Sequence, residues 1–286
     1  MTYIKKTQIQ GNSPADAAID LEANKSGNQI TASFLEEVAK GNVVGHSIIH
    51  KFGKSTNTGT SYAPVSLGNI YNTPQVAGAT ALRVKAGNTN DTAAGSGARE
   101  ITIQGLDETG ALVSEAVATA GTSASSATSA TFIRMFRCYV SASGTYATSA
   151  AGSHAADIVI ENGAGGTDWA TIDSTGFPRG QSEIGIYSVP VACTGFLLNA
   201  YGFSDSTKIT NFLFFRRENI LETSAPYSAM RLLFEERSEG GEFAYNPKAP
   251  VSIGTVSDVG FMAKVDTGSA EVEVDFEILL IDNNYL

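Results

Sequence analysis

The chain has 286 residues, 42% of them hydrophobic and 17% charged, with a formal net charge of −10. That is enough apolar material for two domains of ordinary size. Charge lies below the usual quarter, so Ser, Thr, Asn and Gly must supply much of the polar surface, and the acidic balance excludes a non-specific nucleic-acid binder, which shows a basic face.

The opening MTYIKKTQIQGNSPADAA lacks the apolar core of a signal peptide. No apolar run approaches the ~20 residues of a membrane span. A soluble protein made in a cytoplasm, with no membrane partner, is expected. Lys5-Lys6 reads as a solvated surface pair. Residues 1–30 are polar with scattered apolar positions and read as an extended arm. Ser33 and Glu36 then have capping-box spacing, Phe34, Leu35 and Val38 share a face, and Gly41 is a stop signal, which predicts a short helix over 33–40. The β-branched Val43, Val44, Ile48 and Ile49 favour a strand. The stretch STNTGTSYAPVSLGNIYNTP reads as loop. Residues 1–75 therefore form an extended arm with little core of its own.

From Gln75 the texture becomes that of short strands. ATALRVKAG alternates around Leu82 and Val84, and NTNDTAAGSGA is a loop of turn formers. REITIQGLDETGALVSEAVAT (residues 99–119) reads as a hairpin: Ile101 and Ile103 face one way and Thr102 and Gln104 the other. Asp107 to Gly110 has the chemistry of a type I turn, and Val113 and Val117 lie on the return strand. ATAGTSASSATSAT is low-complexity, either a loop or an edge strand of small side chains. FIRMFRCYVSASG, ADIVIENGAGG and TDWATID follow as strands, the last with the single tryptophan, Trp169. STGFPRGQ, residues 174–181, gathers Gly, Pro and Ser and marks a boundary. Six further strand segments recur from SEIGIYSVPV to SAEVEVDFEILLIDN. The expected fold is mainly β: a first β-domain over 76–177 and a second, jelly-roll-like one over 178–286, both antiparallel sandwiches behind the arm.

The chemistry-bearing residues form no catalytic pattern. On the last segment Val272, Val274, Phe276, Ile278 and Leu280 share one face, and Glu271, Glu273, Asp275 and Glu277 the other. Carboxylates two apart on one strand sit roughly 6–7 Å apart, so they read as a solvated face whose charge guards a sheet edge. His46 and His50, four apart, would lie about 13 Å apart on a strand and read as structural. His154 stands alone and reads as an exposed loop residue. Arg216-Arg217 reads as another solvated pair. Cys138 and Cys193 have no metal spacing and read as buried free thiols; a disulfide needs Cα atoms within about 7 Å, which sequence does not reveal. Asp91, Asp107, Asp157 and Asp168 fall in loops without an EF-hand pattern, and the glycines of GSGARE read as turn glycines. No catalytic, cofactor-binding or metal residue is assigned, and no cofactor is expected.

The phrases VVGHSIIHKFGKSTNTGTS, DTAAGSGAREITIQGLDETG, TFIRMFRCYVSASGT and GFMAKVDTGSAEVEVDFEILLIDNN, in this order over roughly residues 43–283, resemble a group of tailed-bacteriophage virion structural proteins. The resemblance implies a non-enzymatic, multi-copy particle component with no catalytic residues to carry over, assembled in the host bacterial cytoplasm. Residues 1–42 lie outside it. The expectation is therefore a part of the particle exterior, a head decoration or a neck or tail accessory. It would be attached by its N-terminal arm, with itself (a trimer) and capsid, neck or tail proteins as partners. The runner-up is a receptor- or glycan-binding appendage, for which Trp169, Tyr187, Tyr201 and Tyr227 could stack on sugars. A particle-bound glycan hydrolase would need two carboxylates roughly 5–9.5 Å apart in a cleft, and no such pair stands out.

Overall fold

A computed structural model describes residues 33–67, 78–147, 152–205 and 208–286, together with the backbone of Thr7–Ile9 and Ile19–Leu21. The chain divides into two compact units, Met1–Ser47 and Ile48–Leu286. It is mainly β, as the turn-rich composition predicts, with antiparallel sheets and a short helix near the start.

In the first unit β1 (Thr7–Ile9) pairs antiparallel with β2 (Ile19–Leu21). The rest of the expected arm over residues 1–30, Lys5 and Lys6 included, lies outside the described residues. Helix α1 (Phe34–Ala39) falls where predicted. Its capping box does not form: Ser33 is extended but its side chain caps nothing. The stabilising carboxylate is Glu37, which accepts from Asn42 and Lys40, each at 2.7 Å. Those bonds, Asn42's the stronger, hold its carboxyl below the ordinary range. Gly41, at φ +77°, ends the helix in the left-handed region that glycine enters without cost.

The second unit carries the remaining strands. β3 (His46–Thr58) enters it, followed by β4 (Ala63–Pro64), β5 (Leu82–Ala86), β6 (Ala98–Leu106), β7 (Leu112–Ala118), β8 (Arg134–Ser143), β9 (Ile158–Asn162) and β10 (Asp168–Ile172). After an irregular connection come β11 (Ile186–Val189), β12 (Cys193–Ser204), β13 (Thr210–Arg217), β14 (Arg231–Ser238), β15 (Gly241–Tyr245), β16 (Val251–Ile253), β17 (Ser257–Val265) and β18 (Ala270–Asp282). They build sheets ordered β7-β6-β8, β10-β9-β5, β11-β17-β13-β14 (with β4 on β17) and β15-β12-β18-β3 (with β16 on β12).

Two hydrophobic clusters hold these sheets. One gathers Leu82, Val84, Ile101, Ile103, Phe132, Ile158 and Ile160 from β5 to β9; the other gathers Phe212, Phe214, Phe261 and the inward face of β18. Phe214 meets Phe261 edge-on at 4.7 Å and Phe276 at 5.2 Å, contacts favoured beyond area burial alone. The clusters interpenetrate: Leu106, Ile133 and Phe136 belong to the C-terminal one, and Phe215 to the other.

The hairpin of residues 99–119 forms as predicted, with Ile103 opposite Glu115 and Leu106 opposite Leu112. Its turn is Asx-stabilised. One carboxylate oxygen of Asp107 accepts from the Thr109 amide and hydroxyl and the Ala111 amide, and Gly110 sits at φ +80°. The Ser/Thr run that follows lies along β5 as an irregular edge. Ser125 N donates to Val84 O and Thr128 N to Leu82 O, while the Ser125 and Thr128 hydroxyl oxygens accept from Val84 N and Leu82 N. Glu115 pins its far end through the amides of Ser129 and Ala130.

Three expectations need correction. Val43 and Val44 lie in turn, and the strand runs on through residues 55–58 where loop was expected. β3 lies beside β18, also of 13 residues, and this sheet pairing overrides the local propensity of Ser, Thr and Asn. β18 is not a sheet edge: it lies between β12 and β3. β15 and β16 fall in segments read as connections.

Candidate functional site

The sheet β15-β12-β18-β3 turns its second face outward, and alternation along each strand decides what shows there. From β12 these are Tyr201 and Phe203, 40% and 42% exposed. Tyr201 stands opposite Asp275; Phe203 stands opposite Glu273 on one side and Glu242 on the other. With Lys54 of β3 and the Arg179–Glu183 ion pair they line an open cleft of about 410 Å3.

The carboxylates of the cleft are unequal. Lys54 bridges Glu271 and Glu273, at 2.5 and 2.8 Å. Burial opposes the ammonium, but the two carboxylates outweigh it and hold Lys54 above the ordinary lysine range. Burial pushes the Asp275 carboxyl up, against the pull of His50. Glu183 is pushed up by burial too, against Arg179 and Lys54. Its Oε1 accepts from Arg179 at 3.1 Å, and its Oε2 is buried with no hydrogen-bond partner among the described residues. Two aromatic faces rimmed by acceptor oxygens suit a hydroxyl-rich surface or the rim of another protein chain.

The four aromatics singled out from sequence do not converge. Tyr187 is buried against Phe136 at 4.8 Å. Trp169 packs half-buried on the first cluster, and Tyr227 is half-buried with its hydroxyl directed to Thr223 O. Tyr201 alone of them lines the cleft; its neighbour Phe203 was missed, although it shares Tyr201's parity in LLNAYGF.

The remaining candidates do not line this cleft, and some lie in unexpected places. His46 Nδ1 lies 2.8 Å from Val44 O and the ring meets Phe34 edge-on, while His50 is exposed. His154 is not an exposed loop residue. It is 1% exposed, with Nδ1 2.9 Å from Ser153 Oγ and Nε2 3.2 Å from Asp173 O, and burial holds its pKa below the ordinary value. Cys138 is a buried free thiol, pushed by burial up to about 12; Cys193 is free but half-buried. Arg216 and Arg217 are half-buried rather than solvated, each donating to a carbonyl, of Ser252 and Ser228.

Among the described residues no three or more His, Cys, Asp or Glu side chains come together as a metal site. Asp91 is fully buried and organises its loop: its carboxylate accepts from the amides of Ala98, Ala155 and Ala156. A Cβ on Gly97, one of the GSGARE glycines, would lie 2.0 Å from Asp91 Oδ1. Asp157 takes the Ser174 amide and hydroxyl, and Asp168 opens β10 in an exposed position.

Sequence reading also missed a buried ion pair and a buried lysine. Arg134 donates through Nε to Asp258 at 3.0 Å, with 2% and 0% of the side chains exposed, and Ser188 adds a 2.6 Å bond to the same carboxylate. Lys51, 6% exposed, donates to Phe136 O. Each signal was a charge at inward parity: Arg134 with Phe136 and Cys138, Lys51 with Ile49 and Gly53.

No family model and no curated protein matches the sequence. Among solved structures the chain is similar to that of the Gt strain of infectious bursal disease virus, with 9% identity and TM-score 0.25 over 84% of this chain and 73% of that one. It is also similar to T=1 particles derived from infectious bursal virus, with 8% identity and TM-score 0.11 over 83% and 78%. Likeness of this order does not define a shared fold.

Proposed function

We propose that the chain is a non-enzymatic structural component of a virus particle, on the exterior of a tailed phage as a head decoration or a neck or tail accessory. It works as a homo-oligomer, a trimer, attached by its N-terminal arm to capsid, neck or tail proteins. The resemblance of residues 43–283 supports the particle. The observation that carries the contact role is the outward pair Tyr201 and Phe203, large apolar rings on a sheet face that a partner would cover. Only 17% of the chain is charged, which favours packing against neighbours without large desolvation costs. An extended arm adds contact area across copies.

The test is co-sedimentation with particles. Tyr201→Ser with Phe203→Ser should leave the circular dichroism spectrum of the folded chain unchanged and abolish both the oligomer and incorporation. Wild-type incorporation by that variant would overturn the contact role. A second reading, glycan binding, draws on the same rings because acceptor carboxylates flank them. Binding on a glycan array that the double substitution removes, with assembly intact, would establish it instead.

A further inference from the structure

β3 places three consecutive residues, His50, Lys51 and Phe52, around a second cavity of about 360 Å3. Its other lining residues are Arg137 on β8 and Gln181 and Ser182, from a segment that pairs with β8 through the Tyr139–Gln181 bridge and the bond from Ser182 N to Cys138 O. β3 and β8 each end the strand order of their sheets. The cavity therefore lies where two sheet margins meet.

Its chemistry is one-sided. Three of the six lining residues are basic and none is acidic, in a chain of formal charge −10. Lys51 lies inside. An ammonium has three N–H donors, and the described residues give Lys51 one acceptor, the carbonyl of Phe136. The charged or titratable groups beside it are Arg137, a second cation, and the Cys138 thiol. A buried cation next to another cation, with no counter-ion, carries an unrelieved desolvation and repulsion cost. One small anion would offset both. Arg137 is exposed and held in place, donating to Gln181 Oε1 at 3.2 Å with its guanidinium 4.8 Å from the Tyr139 ring centre. Its planar fork is pre-shaped for an oxyanion. Cations on several walls call for oxygens pointing in several directions, which a tetrahedral anion offers and a planar carboxylate does not.

We infer that this cavity binds a compact tetrahedral oxyanion, a phosphate or sulfate group, between Lys51 inside and Arg137. Burial and Arg137 together bring the Lys51 amine down to about 7. An anion favours the charged ammonium, so above that pH binding draws in a proton. Occupancy does not depend on where the chain sits in a particle.

Sulfate is the probe, because its charge does not change across the range used. Titrated into the full chain by calorimetry, it should bind at one site, about tenfold more weakly at about pH 9 than at about pH 6. Binding at the higher pH should take up a proton, read from two buffers of different ionisation enthalpy. Arg137→Gln, an exposed change that leaves the fold intact, should weaken binding about tenfold and keep the pH dependence. With His50→Gln in the background, which removes the cavity's other titratable side chain, Lys51→Met should weaken it similarly and abolish the pH dependence. Absence of binding at about pH 6, or binding that Arg137→Gln leaves unchanged, overturns the site.

Discussion

Lys51 and the Arg134–Asp258 pair are buried charges with opposite circumstances. Asp258 accepts from Arg134 Nε through both carboxylate oxygens, at 3.0 and 3.2 Å, and from the Ser188 hydroxyl. Removing its charge strands Arg134 in the interior. Asp258→Asn should therefore lower stability by about 3 kcal/mol in urea melts, and Arg134→Met with Asp258→Leu should recover most of that loss. Lys51 has no such counter-charge among the described residues, so its cost depends on pH. Its amine titrates near 7 in the fold against 10.5 as a free lysine. The unfolded chain holds the extra proton between those values, so this group's contribution to stability rises as pH climbs from about 7 to about 10.5 and is at its most unfavourable below 7. In sulfate- and phosphate-free buffer Lys51→Met should be the more stable protein at about pH 6, and its advantage should shrink steadily toward pH 10. A constant difference across that range would contradict the assignment.

At the scale of elements the 99–119 hairpin is the clearest case of local chemistry prevailing. Burial pushes the Asp107 carboxyl up, but donors from Thr109, Ala111 and Gly110 outweigh it and hold it below its ordinary value. Asp107→Ala should cost about 1 kcal/mol through the lost turn bonds, and Gly110→Ala a similar amount through its positive φ, both read by thermal melts. The hairpin, α1 and the strands with alternating or aromatic-rich patterns were legible because their signals lie within a dozen residues. β15 and β16 were not: each is short and takes its hydrogen bonds from β12, about 40 or more residues away in the chain. The same holds inside loops. Asp91 looks like a solvated turn residue until its carboxylate meets the amides of Ala155 and Ala156, and His154 is buried with it. The outward Tyr201 was readable from parity, but the cleft was not, because it needs β3 and β15 brought to the same sheet. Gly53 makes the point in backbone terms. A Cβ there would lie 2.2 Å from Gly185 N, a crossing that no local pattern announces.

For the whole molecule, the expected division at 174–181 falls in the irregular stretch before β11, yet β8 contributes to both hydrophobic clusters. The Arg134–Asp258 pair ties the same strand to β17. Unfolding of the second unit within the full chain should accordingly follow one transition by near-UV signal and by calorimetry; two separated transitions from the two clusters would show that they fold apart. The proposed attachment makes its own demand on the chain. A version lacking residues 1–42 should fold with an unchanged melting temperature but fail to join particles, and normal incorporation would place attachment elsewhere. Finally, the hydroxyls of Ser125 and Thr128 stand in for main-chain acceptors at two rungs beside β5. A stray strand reaching that margin would find no regular row of amides to copy. That margin is thereby sealed against runaway fibril growth.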